Sequence, residues 1–155
     1  MNRAKTWLCV AALAAAVGAC VSMSEQRKCA VDLSSPETTV VSFTKAAALG
    51  DIESALNCCL PGSYDYDDIK NALTASPSAP SYAFKQMLES VDRDAPIQIV
   101  SVEKNGDKAT VIWRITFKRD VRMAESGGQT FKAGSTFDLD GTLRKSEDRW
   151  LIEGI

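Results

Sequence analysis

The residues of this chain that could carry chemistry are carboxylates and thiols. Its 155 residues include five cysteines and 20 acidic side chains but no histidine. Without imidazole, the chain can form no His-based catalytic triad and no His-liganded metal site, and it lacks the side chain that ordinarily titrates near neutral pH. Asp138 and Asp140 are the candidate acid–base residues, and Cys29, Cys58 and Cys59 are the candidate thiols.

The segment from Phe137 to Leu143 (FDLDGTL) resembles the first motif of haloacid-dehalogenase-type phosphatases. In that family the first Asp is the phosphoryl nucleophile and the second is the acid–base group. The chemistry also needs a buried strand before the motif, and a phosphate-binding Lys and Mg²⁺ carboxylates after it. Only 12 residues follow Leu143, and the preceding residues lack a buried-strand pattern. We therefore predict a half-exposed strand with its acidic side chains in water.

Two other charged clusters also have ordinary structural explanations. An acidic cluster of Asp65, Asp67 and Asp68 could bind calcium or a cationic ligand, but it is more typical of a solvated helix start. Lys118, Arg119 and Arg122 form a basic cluster. It could bind lipid head groups or an acidic partner, but it is more typical of a solvated strand end. With 18 basic side chains, the chain lacks the basic excess of nucleic-acid-binding proteins. We expect no metal, no cofactor and no nucleic-acid partner.

The first twenty residues have the pattern of an export signal. Arg3 and Lys5 precede an apolar stretch from Trp7 to Val17, which runs into Val17-Gly18-Ala19-Cys20. Eleven apolar residues are too few for a transmembrane helix but typical of a signal peptide.

This pattern resembles the precursor of a bacterial lipoprotein, with residues 17–20 as its lipobox. The resemblance implies removal of residues 1–19, acylation of Cys20, and a body anchored to the lipid bilayer of the cell envelope and facing the periplasm. Two or more acyl chains are sufficient for stable anchoring. Residue 21 is Val instead of the Asp that tends to retain such proteins at the inner membrane, which favours the outer membrane.

Residues 20–34 are predicted to be the lipidated Cys20 and a polar tether, and residues 35–155 a single domain. In the first half of this domain apolar residues recur at helical spacing. The capping patterns predict four helices, which begin at Ser35-Pro36-Glu37, at Asp51, at Asp67 or Asp68, and at Ser81. Gly50 and Pro61-Gly62 are predicted to end the first two helices.

The second half alternates with a period of two and predicts four or five antiparallel strands. Asn105-Gly106 predicts a tight hairpin, and residues 121–134 a wide hairpin or loop. One face of the return strand is apolar and consists of Val111, Trp113, Ile115 and Phe117. Helices followed by such a sheet predict an α+β fold with the helices packed on one sheet face.

Two segments resemble nuclear-transport-factor-2-like (cystatin-like) proteins. Residues 35–55 (SPETTVVSFTKAAALGDIESA) resemble the first helix pair of these proteins, and residues 141–152 (GTLRKSEDRWLI) resemble their last two strands. More narrowly, the chain is similar to small bacterial lipoproteins of unknown function with this cone-shaped fold. The resemblance implies a curved sheet that wraps a long helix and leaves a pocket. Some relatives are isomerases or dehydratases, and many only bind or assemble. Relatives often dimerise through the open sheet face, so the resemblance leaves a homodimer through this face as an open alternative, although nothing in the sequence requires it.

Export to an oxidising compartment would favour a disulfide. Cys59 shares the apolar stripe of the second predicted helix, whereas Cys58 lies about 100° from Ile52 on the helical wheel. We therefore predict a Cys29–Cys58 bond, with Cys59 buried as a small hydrophobe. A Cys29–Cys59 bond is the alternative.

The sequence thus predicts an anchored, non-catalytic module that binds a small apolar ligand or an envelope protein. The alternative is an isomerase- or dehydratase-like enzyme that uses a pocket carboxylate with a raised pKa. Asp138 or Asp140 could serve only by pointing inward, and the alternation assigns the buried face to Phe137, Leu139 and Leu143.

Overall fold

The computed structural model describes residues 28–123 and 128–155. The predicted signal peptide, Cys20, tether residues up to 27 and residues 124–127 of the predicted wide hairpin lie outside the described residues. The helices are α1 (Pro36–Leu49), α2 (Ile52–Asn57), α3 (Tyr66–Leu73) and α4 (Tyr82–Glu89). The strands are β1 (Gln98–Asn105), β2 (Lys108–Thr116), β3 (Val121–Met123), β4 (Gln129–Phe131), β5 (Thr136–Ser146) and β6 (Arg149–Gly154). No helix in these ranges is long and apolar enough to cross a membrane.

The main sheet has the strand order β1-β2-β5-β6, and every neighbouring pair is antiparallel. β3 and β4 form a separate hairpin between β2 and β5 in the chain. The predicted α+β class, with helices preceding an antiparallel sheet of four strands, is confirmed. The first hairpin turns at Gly106-Asp107, one residue later than predicted, because Asn105 already pairs with Lys108.

Helix α1 begins where its capping pattern predicts. Ser35 Oγ accepts a hydrogen bond from the Thr38 amide at 3.1 Å, and Thr38 Oγ1 accepts one from the Ser35 amide at 3.2 Å. This reciprocal pair satisfies two backbone donors that a helix start leaves free. At the other end, Gly50 adopts φ 74°, the left-handed conformation that closes a helix at low cost.

Helix α2 is shorter than predicted, because the chain leaves it to pair with β6. The predicted helix continues to Cys59, whereas the observed one ends at Asn57. The amide of Ile152 donates to Cys58 O at 2.8 Å, and the amide of Leu60 donates to Ile152 O at 2.7 Å. Sheet pairing therefore replaces the last helical turn, and it buries both Cys58 and Cys59.

The core lies between the helices and one face of the sheet. Trp113, at the centre of β2, is fully buried, and its neighbours on that face alternate as predicted. Other large side chains of this core are less than 2% exposed. They include Phe43, Phe117, Leu73, Leu88, Ile115, Leu143 and Ile152.

The segment of residues 28–34 packs against the body just before the predicted start of the domain. Leu33 O accepts a hydrogen bond from the Trp150 amide at 2.9 Å, and Ser42 Oγ accepts one from the Asp32 amide at 3.0 Å. The side chains of Cys29, Val31 and Leu33 pack against the core. This segment therefore covers part of the outer edge of β6.

Candidate functional site

The candidate site arises because β5 is longer than its neighbour β6. β2 pairs with β5 from Thr136 to Arg144, whereas β6 pairs with it only from Thr142 to Ser146. On the side away from β2, no strand within the described ranges pairs with residues 137–141. The sheet therefore has an open edge at this end of β5.

A cavity of about 260 Å³ lies along this edge. Its apolar wall comes from α4, the β3 hairpin, β5 and the end of β6, and is formed by Phe84, Met87, Met123, Phe137, Leu139 and Ile155. Four consecutive residues of β5, 137–140, line it. Because neighbouring side chains of a strand point to opposite faces, a cavity that touches all four runs beside the strand. We call this cavity the β5 groove.

The two candidate catalytic carboxylates flank the β5 groove on the exposed face. Asp138 pairs in register with Arg114 of β2, and the guanidinium holds its carboxylate through Nε–Oδ1 and Nη2–Oδ2 contacts of 2.6 and 2.8 Å. The hydrogen bonds from Arg114 lower the pKa of Asp138. Asp138 is thus held ionised, the opposite of the raised pKa that an isomerase-type base would need. Asp140 is exposed, opposite Ile112.

A second cavity of about 240 Å³ adjoins the β5 groove and shares Phe84 and Ile155 with it. Asp65 and Asp68 line this second cavity. All charged residues lining the two cavities are therefore aspartates, and none is a lysine or an arginine. A ligand that carries positive charge is favoured here over an anion.

The acidic cluster itself is a helix start, as predicted. The helix begins earlier than predicted, because its N-cap is Asp65 and not Asp67 or Asp68, which are exposed in the first turn. The side chain of Asp65 makes no capping bond. Asp65 Oδ2 lies so close to Gly154 that a Cβ there would collide with it. The described part of the chain has no cluster of three metal-ligating side chains.

The basic cluster stays apart from both cavities. Lys118, Arg119 and Arg122 are exposed and line neither of them. Arg119 Nε donates a hydrogen bond to the hydroxyl of buried Ser90 at 2.8 Å. Because Ser90 is the C-cap of α4, this bond links Arg119 to the end of that helix.

Ser54 contacts both Cys29 and Cys58, whereas the thiol of Cys59 donates to Ala55 O. Ser54 Oγ donates to Cys29 O at 3.4 Å, and Cys58 Sγ donates to Ser54 O at the same distance. All three thiols are free, with Cys29 half-buried and the other two buried. Burial raises the pKa of Cys58 and of Cys59 to about 12, and the neighbouring Cys29 adds to the rise at Cys58. The Cys29–Cys58 bond stays a prediction.

Asp51 fixes the position of Cys29. Its Oδ1 accepts from the Ser54 amide at 3.1 Å as the cap of α2, and its Oδ2 accepts from the Cys29 amide at 2.8 Å. Burial alone would raise the pKa of Asp51, but the hydrogen bonds from Cys29 and Ser54 outweigh it and lower the pKa. The sequence predicts the helix start at Asp51, but it contains no signal for the contact with Cys29.

No local pattern of the sequence indicates the β5 groove. Phe84 and Met87 stand at helical spacing, which predicts core positions on a helix, and no pattern gives a role to Met123 or Ile155. Met87 and Met123 are indeed buried, yet each also lines the groove.

No protein-family model matches the chain, and no curated protein matches it. Similar solved structures include a SEC-C motif containing protein from Rhodopseudomonas palustris, with 19% identity, a TM-score of 0.49, and coverage of 77% of this chain and 75% of that one. An NTF2-like protein of unknown function from Shewanella oneidensis has 16% identity, a TM-score of 0.47, and coverage of 76% and 90%. Because these TM-scores lie below 0.5, we rest the fold class on the observed elements and transfer no function.

Proposed function

We propose that this chain is a bacterial lipoprotein, anchored through acylated Cys20, whose body is a non-catalytic binding module for a small apolar ligand or an envelope protein. The observation that carries the binding role is the β5 groove, an apolar cavity of about 260 Å³ at an open strand edge. Apolar walls with a few polar groups at the rim are typical of ligand sites. In the groove that rim is formed by Asp138 and Asp140.

The anchoring role rests on the sequence of residues 1–20, which places a Cys after a short apolar stretch. We place the body on the periplasmic side of the envelope, at the outer membrane. We also propose that the body is an NTF2-like domain. Its order of helices and antiparallel strands and the likeness of residues 35–55 and 141–152 to that family support this assignment.

The enzyme alternative finds less support. Asp138 is exposed and held ionised by Arg114, and Asp140 lies on the same face of β5. The remaining carboxyl groups with shifted pKa values, Asp32, Glu37, Asp51 and Asp120, all have lowered ones. None of these groups resembles a protonated or strongly basic pocket carboxylate.

Native mass spectrometry of the detergent-extracted protein tests the binding role. We expect added small-molecule mass or a co-purifying envelope protein, and the loss of either in Ala83→Trp, which fills the β5 groove from α4. Ala95→Trp is the matched control, because Ala95 is half-buried like Ala83 but lies in the loop before β1 and does not line the groove, and this variant should keep the bound species. A protein of unmodified mass that also gives no crosslinked partner in intact cells would contradict the proposal.

Labelling with a radioactive or alkyne-bearing palmitate tests the anchor. Wild-type protein should incorporate the label and sediment with membranes. Cys20→Ser should do neither, whereas Cys29→Ser should label normally. Unlabelled wild-type protein in the soluble periplasmic fraction would disprove the anchor without affecting the proposed binding role.

A further inference from the structure

The β5 groove lies beside β5 where an extension of β6 would run. Gly154 of β6 pairs with Thr142 of β5, and the next residue, Ile155, already lines the groove. Beyond this point residues 137–141 of β5 pair with β2 on one side and with no described strand on the other. Five strand residues extend roughly 17 Å. At alternate residues of an edge strand, the backbone N–H and C=O groups point away from the sheet. Along this length of β5 those groups can form hydrogen bonds with an incoming strand.

The two sides of the open edge differ in chemistry. On the inner side, an incoming strand would meet Phe84, Met87 and Leu139. On the outer side it would meet Asp138 and Asp140, and no ion-pair partner of Asp140 exists within residues 28–123 and 128–155. A strand that matches both sides alternates apolar residues with basic ones.

The Arg114–Asp138 pair is an example, on the opposite side of β5, of a basic residue that forms an ion pair with an aspartate of β5. There a cation of β2 lies directly across from Asp138, at 2.6 Å from Nε to Oδ1. The incoming strand would repeat this arrangement at Asp140.

A second copy of this chain does not satisfy these requirements. Two β5 edges paired antiparallel would bring Asp138 and Asp140 of one copy against the same residues of the other. Like charges directly opposite each other destabilise a strand pair. Acidic residues on an open edge therefore select against self-pairing and in favour of a basic partner.

We propose that the β5 groove binds an extended segment of a partner protein, which adds to the sheet as a strand antiparallel to β5 and alternates basic and apolar residues. This inference rests on the proposed binding function and names its partner class. Main-chain hydrogen bonds supply the affinity in such strand addition, and the side-chain pockets supply the specificity.

Three heptapeptides test the proposal on the full-length protein in detergent micelles. The first alternates lysine and valine, the second alternates glutamate and valine, and the third is the lysine–valine peptide with its alternate amides N-methylated along one edge. Saturating lysine–valine peptide should slow hydrogen exchange of the outward amides among residues 137–141 by about tenfold or more, because they become ladder donors. The glutamate–valine and the N-methylated peptides should each bind at least about tenfold more weakly.

Two variants locate the binding. Ala83→Trp should weaken binding of the lysine–valine peptide by about tenfold or more, because the indole occupies the groove. Ala95→Trp, in the loop before β1, should leave the affinity for the peptide unchanged. Equal binding by the N-methylated peptide, or unchanged exchange at 137–141, would overturn strand addition. If native mass spectra then still show a bound small molecule, the proposed function survives and only this inference fails.

Discussion

The indole Nε1 of Trp113 donates a hydrogen bond to Thr44 Oγ1 across 3.1 Å, and both side chains are fully buried. Thr44 Oγ1 in turn donates to Val40 O, one turn earlier in α1, at 2.8 Å. The bond therefore joins the middle of the sheet to the middle of α1, with every polar group of the pair satisfied. It fixes the indole in the core at one orientation.

Thr44→Val should lower the free energy of unfolding by about 1–3 kcal/mol, because it leaves the buried indole N–H of Trp113 without an acceptor. Thr44→Ser keeps the hydroxyl and should cost only about 1 kcal/mol for its lost methyl group. Urea unfolding followed by circular dichroism measures both. Equal losses in the two variants would show that the hydrogen bond contributes nothing beyond packing.

Gly141→Ala should lower the free energy of unfolding by about 1–3 kcal/mol. Its new Cβ would lie 3.2 Å from the ring of Trp113 and 3.1 Å from Gly154 O, and neither the buried ring nor the backbone can easily move. Gly154→Ala is the matched comparison, because its Cβ meets the end of the Asp65 side chain, which can rotate away. We expect thermal unfolding to rank Gly141→Ala as the less stable variant, and the reverse order would contradict this.

The carboxyl group of Asp138 should titrate at lower pH than an unpaired aspartate. Its folded pKa is lowered by Arg114, so its contribution to stability is present above the unfolded pKa and is lost as the pH falls through the folded one. In Arg114→Gln the carbon-13 NMR midpoint of Asp138 should rise to that of an unpaired aspartate, and the loss of stability as the pH falls below the unfolded pKa should become smaller. Arg149→Gln, on β6, should leave the midpoint unchanged.

Protein expressed with export to an oxidising periplasm should contain a Cys29–Cys58 disulfide, because both residues contact Ser54. Non-reducing peptide mapping should find that linkage in wild type and in Cys59→Ala, but not in Cys58→Ala. After reduction and at pH 8, iodoacetamide should modify Cys29 but neither Cys58 nor Cys59, since a thiol of pKa about 12 is ionised in only about one molecule in ten thousand. A Cys29–Cys59 linkage in wild type would disprove the pairing.

Local patterns were sufficient to predict most elements of this fold. Ser35-Pro36-Glu37 marks the start of α1, and the alternation along β2 and β5 assigns Trp113 to the core and Asp138 to the exposed face, as observed. These features depend on residues close together in the chain, whose spacing directly sets which face a side chain occupies.

Features that depend on distant pairing could not be predicted in this way. α2 ends early because Cys58 pairs with Ile152, and the 28–34 segment packs because Leu33 pairs with Trp150. The β5 groove exists because β6 ends at Gly154, opposite Thr142, while β5 continues. No local periodicity records where one strand ends relative to another.

The early and late parts of the chain complete each other's packing. Thr39 Oγ1 donates to Trp150 O across 111 positions, and Cys58 pairs with Ile152. Loops of that length close late and slow the folding reaction. The body therefore cannot complete its packing until β6 has joined the sheet, so its two ends should fold and unfold as one cooperative unit.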